Sequence, residues 1–196
     1  MNLNAVERQR LFCHLNRLQQ DRHYRDTQRR YVFEGARNVI RANCCGHQIE
    51  TVLRCRKLLR SPASNAVLQS LRDSGSTIVD VTPEQFRECS ITKRASGLLA
   101  IARQKRNRID AFTPKSIAVA LSRVRNAGNF GCLIRTAAAV GADGFILIGN
   151  LIDPYDPAVI RSAMGTVFAQ RFYRATWREF NQWKKQHGAT VVAACP

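Results

Sequence analysis

Apolar residues along the first hundred positions alternate between helical spacing and short continuous runs. Leu11, Leu15 and Leu18 recur at helical spacing through the polar and basic stretch 4–30, which predicts one amphipathic helix there. A short apolar run from Tyr31 is followed, after a break at Gly35, by a second helix. Further strands are predicted at 49–55, 76–82 and 97–104, the last of them apolar enough for a central strand, and further helices at 64–75 and 83–90. This alternation indicates an α/β domain that ends at about residue 104.

A polar interval at 105–114 interrupts the pattern, because four charged residues and a Thr-Pro pair stand there. We interpret this interval as a linker between one domain at 1–104 and a second at 115–196. The second domain is predicted to contain strands at 116–124, 143–149 and 189–196 and helices at 128–141, 156–168 and 176–188. Its first strand, helix and strand form a βαβ unit, which places parallel strands in one sheet. A doubly wound α/β sheet is therefore expected.

The large positive net charge indicates what kind of molecule this protein binds. The chain carries 31 Lys and Arg residues against 14 Asp and Glu, a formal charge of +17, and 21 of those 31 cations lie in residues 1–108. Most of them are arginines, which suit bidentate phosphate contacts and stacking on bases. A polyanionic partner is predicted, RNA or DNA, although a basic surface that binds nothing remains an alternative.

The cysteines and the hydropathy pattern argue against a zinc protein, a disulfide-bonded secreted protein and a membrane protein. Seven cysteines, an odd number, form no C-x-x-C pair, so neither a zinc site nor a disulfide framework is predicted. Free thiols are typical of a reducing compartment such as the cytoplasm. The chain has no run of 18 apolar residues, so no membrane partner is predicted. We predict a cytoplasmic protein without a metal site.

The stretch R-V-R-N-A-G-N-F-G at 123–131 overlaps the end of the predicted strand at 116–124 and opens the helix after it. In parallel α/β sheets, ligands bind outside the carboxyl ends of the strands. Glycines such as Gly128 and Gly131 let the backbone approach a ligand closely, and N–H groups at a helix start favour an anion. The stretch has neither G-x-G-x-x-G nor G-x-x-x-x-G-K-[ST], so the fingerprints of dinucleotide binding and NTP hydrolysis are missing.

Arginines surround this stretch. Arg135 lies four residues after Gly131, on the same helical face, and is expected to reach back over the turn. Arg123 and Arg125 add positive charge on the other side. Together they predict a site for a phosphate or ribose phosphate, and a tight turn with solvent-facing arginines is the alternative interpretation.

The stretch R-N-A-G-N-F-G-C-L-I-R-T-A-A-A-V-G-A-D-G-F-I-L-I-G resembles the first signature of the SpoU/TrmH branch of the SPOUT RNA methyltransferases, roughly D-P-x-N-x-G-x-x-x-R-T-A-x-x-x-G-x-D. The stretch D-P-Y-D-P-A-V-I-R-S-A-M-G-T-V-F resembles the segment that follows it in that family. Near the amino terminus, Y-V-F-E-G-A-R-N-V-I-R-A and S-G-L-L-A-I-A-R-Q are similar to the family's RNA-binding domain. Asn126 and Ala127 stand where the family most often has Asp-Pro.

The resemblance implies a small amino-terminal α/β domain, similar to a ribosomal protein, followed by a SPOUT domain with a trefoil knot. It implies methyl transfer from S-adenosylmethionine to a ribose 2′-hydroxyl of RNA, rRNA ahead of tRNA, and a homodimer formed through the SPOUT domain. By motif position, Asn129 would shape the active site and Arg135 would be the catalytic arginine. Arg123, Arg125 and Arg161 are predicted to bind RNA.

The family's second and third signatures, a G-N-E-x-x-G loop and a stretch with Ser-Leu-Asn, do not occur within these 196 residues. The SPOUT domain is therefore expected to be incomplete at its carboxyl end, with the cofactor-binding residues beyond Pro196. The main alternative is an RNA-binding protein whose methyltransferase domain is truncated and inactive. A DNA-binding module is a weaker alternative, since no helix-turn-helix or zinc pattern supports it.

Overall fold

The computed structural model describes residues 4–59, 62–105, 107, 109, 112–113 and 115–194. In the amino-terminal half, helices and strands alternate largely as the apolar spacing predicts. They are, in chain order, α1 (Ala5–Gln20), α2 (Arg22–Gln28), β1 (Arg30–Glu34), α3 (Ala36–Cys44), β2 (Ile49–Arg54), α4 (Ala63–Asp73), β3 (Thr77–Asp80), α5 (Pro83–Cys89) and β4 (Leu98–Arg103).

These strands form a first sheet in the order β1-β4-β2-β3. The strand β4, which the sequence predicts as central, pairs antiparallel with β1 and β2, and β2 pairs parallel with β3. Successive side chains of a strand point to opposite faces, so Val32 packs with α1 and α5 on one face. Tyr31 and Phe33 pack with α3 and α4 on the other face.

The carboxyl-terminal half forms a second, parallel sheet in the order β5-β6-β7. Its elements are β5 (Ala118–Ser122), α6 (Ala127–Ala139), β6 (Gly144–Ile148), α7 (Pro157–Ser162), β7 (Arg171–Ala175) and α8 (Trp177–Gln186), with a 3-10 turn at Thr166–Ala169. Phe145 and Leu147 of the fully buried β6 face α6 and α7. Ile146 and Ile148 face α8 and pack with Phe180.

One hydrophobic cluster joins the two halves. Tyr31 stacks obliquely on Tyr155 with ring centroids 4.6 Å apart, and Phe33 meets Phe168 at 4.9 Å. Each pair takes one ring from β1 and one from the second half, so the two sheets share a core. Of the predicted linker at 105–114, residues 106, 108, 110, 111 and 114 lie outside the described residues, while Phe112 is buried beside Tyr173.

Three sequence predictions need correction. The single helix predicted at 4–30 is two helices, because Asp21 adopts an extended conformation and its side chain caps α2 by accepting from Tyr24 N. The helix predicted within 156–168, with its end in or after the Met164-Gly165 step, already ends at Ser162, and Met164 and Gly165 then take positive φ angles of 52° and 91°. L residues rarely extend a helix through that region.

The buried strand predicted at 189–196 is also wrong for the described part. Residues 189–194 form no strand, and Val192 is 91% exposed. An apolar run forms a strand only when a neighbouring edge satisfies its backbone groups, and these residues pair with no described strand. The apolar spacing missed β7, a five-residue strand with the burial order exposed, buried, buried, exposed, buried.

Candidate active site

The polar stretch between β5 and β6 is the start of helix α6. Asn126 is the N-cap, and its side-chain oxygen accepts a hydrogen bond of 2.9 Å from Asn129 N. The cap satisfies one of the N–H groups that a helix start leaves without a partner. The turn therefore lies at the carboxyl end of β5, as predicted, with its first helical turn fixed by Asn126 rather than left open.

Gly131 lies in the contact between helices α6 and α7. It is buried, and a Cβ added there would overlap Ser162 Oγ and lie 2.8 Å from Ala163 N. Ser162 in turn donates to Ala127 O at 3.0 Å. We predicted a glycine that lets the backbone approach a ligand, but at Gly131 the backbone approaches α7 instead.

Arg135 lies on the same face of α6 as Gly131, as the helical spacing predicts. Its guanidinium Nη1 is 3.3 Å from Met164 Sδ, so it is directed to the turn after α7 rather than over the turn at the start of α6. Arg135 is exposed, and Met164 is 52% exposed. The side chain is therefore available to a ligand at this surface.

The Met164-Gly165 turn also touches the amino-terminal half. A Cβ at Gly165 would lie 3.3 Å from Arg41 Cγ and 3.5 Å from Asn38 Oδ1, both on α3. Arg41 and Arg135 therefore both lie beside this short turn. Sequence reasoning missed Arg41 and Met164, because about 120 positions separate them in the chain and no local pattern joins them.

The other predicted site residues are exposed. Arg123, Arg125, Arg161 and Asn129 all lie at the surface, and within the described part of the chain none of their side chains has an ion-pair or hydrogen-bond partner. Arg123 has a φ of 66° directly after β5. Left-handed backbone at a residue with a Cβ is strained and is found often at functional sites.

A buried ionic network supports the loop between β6 and α7. Arg25 of α2, 2% exposed, donates from Nε to Asp153 Oδ2 at 2.9 Å and from Nη1 to Leu18 O at 2.8 Å. Arg174 of β7 reaches the other oxygen of Asp153 at 3.2 Å and Asp26 at 2.7 Å. Burial is the largest single influence on Asp26 and raises its pKa, but the hydrogen bond and charge of Arg174, together with Arg22 and Gln104, lower the pKa of this carboxyl overall.

Two family models match the chain, one in each half. The model described as the MRM3-like substrate binding domain matches residues 14–100, and the SpoU rRNA Methylase family matches residues 116–196. A solved structure of an RNA 2′-O ribose methyltransferase is 30% identical, with a TM-score of 0.75 over 96% of this chain and 70% of that one. The chain belongs to the SpoU rRNA methylase family.

Two further proteins, each named as an rRNA methyltransferase, are similar to this chain. The AdoMet-bound rRNA methyltransferase from Sinorhizobium meliloti is 28% identical, with a TM-score of 0.83 over 94% of this chain and 68% of that chain. A 23S rRNA (uridine(2479)-2′-O)-methyltransferase from Streptomyces viridochromogenes is 42% identical over 53 residues, which is 27% of this chain. That match spans only 18% of the relative's length. This SpoU family member is thus a mixed α/β protein with the fold of its solved neighbours.

The part of this SpoU chain that the structure describes contains neither a membrane-spanning helix nor a cluster of metal ligands. No helix there is both long and apolar enough to cross a membrane. Nor does any group of three or more His, Cys, Asp or Glu side chains come together as metal ligands.

The described residues at the carboxyl edge of the second sheet fit S-adenosylmethionine poorly by themselves. Its sulfonium is cationic, and Arg123 and Arg125 would repel it. Its adenosyl group needs apolar enclosure, whereas Leu151 in the loop after β6 is 47% exposed. We assign no cofactor contact to these residues.

Proposed function

We propose that this SpoU family member methylates a ribose 2′-hydroxyl of RNA with S-adenosylmethionine as methyl donor. The observation that carries the proposal is Arg135, which stands in the family order after Asn129 and Gly131 and is exposed where α6, α7 and α3 meet. The bound AdoMet of the Sinorhizobium meliloti protein supports the choice of donor. The names of the relatives favour rRNA over tRNA.

The described residues act on the RNA side of this reaction. A 2′-hydroxyl is a weak nucleophile, so methyl transfer to it requires that the hydroxyl is held in place and that the negative charge developing on its oxygen is stabilised. Arg135 holds the phosphate beside the target ribose, which orients the hydroxyl and stabilises the negative charge that develops on its oxygen. Asn129 shapes the same surface, and Arg123, Arg125 and Arg161 bind flanking phosphates through their exposed guanidinium groups.

The test compares Arg135→Ala with wild type, each expressed from the complete reading frame, on unmodified rRNA with labelled S-adenosylmethionine. The substitution is expected to lower the methylation rate about 10²–10³-fold, because a preorganised charge is lost. RNA affinity should fall little. Arg72→Ala, a change of an exposed arginine on α4, is the control and should leave the rate unchanged. Full activity of the Arg135 variant would disprove the role, and inactivity of the wild type would disprove the reaction.

The alternative is an RNA-binding protein without catalysis, favoured by the charge of +17 and by the match of residues 14–100 to a substrate-binding domain. Both functions predict RNA binding that weakens steeply with salt. Calorimetry with S-adenosylmethionine separates them, since only the enzyme binds the cofactor. A homodimer and a cytoplasmic location are further parts of our proposal, and sedimentation and fractionation test them.

A further inference from the structure

A cleft with a volume of about 830 Å³ lies at the surface of the amino-terminal half, where α3 and α4 begin. Its residues are distant in sequence from Arg135 on α6. The loop at 90–96, between α5 and β4, closes one side of the cleft. The residues that line this α3–α4 cleft are Ala36, Leu58, Leu59, Ser64, Arg87, Ser90, Thr92, Lys93, Arg94, Ala95 and Ser96.

Among the residues that the structure describes, the two helices that begin at this cleft have no side-chain cap. In α3 the N-cap is Gly35 and in α4 it is Pro62, and neither provides a side-chain acceptor for the first turn. The other α-helices of the described chain are capped by Asn4, Asp21, Thr82, Asn126, Asp156 and Thr176. Ala36 and Ser64 each lie in the first turn of their helix, so their backbone N–H groups have no capping side chain among the described residues.

Ser64 provides a second, independent observation. Its side chain is fully buried, and its Oγ has no hydrogen-bond partner among the described residues. A buried hydroxyl without a partner costs free energy, so proteins rarely keep one without a reason. Ser64 is one of the residues that line the α3–α4 cleft, so a ligand oxygen bound there is the candidate acceptor for this hydroxyl.

The loop at 90–96 gives the cleft positive charge in a fixed arrangement. Glu34, at the end of β1, accepts hydrogen bonds from Ile91 N at 2.7 Å and Ser96 N at 2.9 Å. Its carboxylate also accepts from the hydroxyls of Ser90, Ser96 and Thr92. Lys93 and Arg94 are exposed on the loop that these bonds hold.

We propose that the α3–α4 cleft binds a backbone phosphate of the RNA substrate. The phosphate oxygens accept from Ser64 Oγ and from the N–H groups of the first turns of α3 and α4, while Lys93 and Arg94 neutralise the charge. Helix N-termini with free N–H groups suit this anion. The inference rests on the proposed function in one respect, which is that the substrate is RNA.

The first test is Ser64→Ala, measured by binding of a fluorescent in vitro transcript of large-subunit rRNA. The variant removes a hydroxyl that has no partner in the protein, so the melting temperature should stay the same or rise. RNA affinity should fall about 3-fold to 10-fold, the loss of one hydrogen bond. An unchanged affinity would overturn the role of Ser64, and a lower melting temperature would show that its hydroxyl serves the fold.

The second test removes the charge at the cleft. The double variant Lys93→Ala with Arg94→Ala should weaken binding of the same transcript about 10-fold and reduce the slope of log K against log salt by about 1 to 2. The matched control, Arg178→Ala with Lys185→Ala, removes one arginine and one lysine from exposed positions of α8. If both double variants lost the same RNA affinity, the effect would be one of general charge, and the proposal that the cleft binds phosphate would be wrong.

Inorganic phosphate supplies a direct probe that needs neither RNA nor catalysis. Titration of the isotope-labelled protein should shift the amide resonances of Ala36 and Ser64 first, and shifts confined to other residues would count against the site. The outcomes separate from those of the proposed function. If the wild type methylates RNA while the Ser64 and Lys93/Arg94 variants bind it normally, the cleft proposal fails and the methylation proposal stands.

Discussion

Gly131 shows how a residue of a functional motif can serve packing. Because glycine has no side chain, α6 approaches α7 closely at this position. The atoms Ser162 Oγ, Ser162 Cβ and Ala163 N occupy the space that a side chain would need. Ser162 bonds back to Ala127 O in the first turn of α6. The glycine thereby fixes the distance between the helix that carries Arg135 and the segment that carries Met164.

We predict that Gly131→Ala destabilises the protein by about 1–3 kcal/mol, because an added Cβ overpacks the contact between α6 and α7. Chemical denaturation measures this change in unfolding free energy. Gly128→Ala is the control, because a Cβ there meets only Asn126 Oδ1, at 3.1 Å, and should change stability by less than about 1 kcal/mol. If both alanine variants were equally stable, the close approach would have no energetic importance.

His47 is a buried link between the two halves. Its Nε2 donates to Phe168 O at 3.0 Å, since a carbonyl can only accept, and its Nδ1 then accepts from Tyr31 OH at 2.7 Å. The neutral imidazole satisfies both partners. Burial disfavours the charged form and lowers the pKa of His47 to about 4.

This pKa predicts how stability depends on pH. The unfolded chain protonates His47 below about pH 6.5 and the folded chain only below about pH 4, so the unfolded state binds more protons in between. Unfolding free energy should therefore fall by up to about 3 kcal/mol between those values. His47→Gln, whose amide can serve both partners, should flatten that slope. Part of the slope should remain, because burial also lowers the pKa of His14. An unchanged slope would contradict the assignment.

At the scale of elements, the start of α6 explains why a departure from the family pattern is tolerated. The family most often has Asp-Pro where this chain has Asn126 and Ala127. Asn126 accepts from Asn129 N as an aspartate would, and Ala127 is the first helical residue, where proline fits because that N–H needs no helical partner. The local geometry is kept with different residues.

Asn126→Ala should cost about 1 kcal/mol of stability through loss of the cap, measured by thermal or chemical unfolding. Because Asn129 lies in the turn that the cap fixes, the methylation rate should fall as well. Asn126→Asp restores an acceptor and should keep both stability and rate close to wild type. A stable, fully active alanine variant would show that the cap does not order the turn.

At the scale of the whole molecule, the network around Asp153 fastens the two halves together. Arg25 and Asp153 are both almost fully buried, and Arg25 also lies 3.6 Å from Asp156, the cap of α7. Arg174 connects the same carboxylate to Asp26 of α2. The amino-terminal half is thus held against the helix that packs on Gly131, which fixes Arg41 beside the Met164-Gly165 turn.

Asp153→Ala should destabilise the protein by about 3–5 kcal/mol, because it leaves the buried guanidinium of Arg25 without its main counter-ion. Denaturant unfolding measures this loss. The exposed pair of Arg87 and Glu84 provides the control, and Glu84→Gln should leave stability nearly unchanged, because solvent screens an exposed ion pair. A small effect at Asp153 would mean that the two halves are held by their shared apolar core alone.

The sequence by itself determined the local features: most helices and strands, the central position of β4, the parallel βαβ unit and the exposed arginines near α6. Apolar spacing and capping chemistry act within a few residues, so they are legible in the chain. The tertiary structure alone decided the rest. It placed Ser162 against Gly131, and it brought Arg41 and Arg135 beside the same turn. It also buried Arg25 against Asp153 and left residues 189–194 unpaired with any described strand. Each depends on residues distant in sequence, whose contacts exist only once the chain has packed.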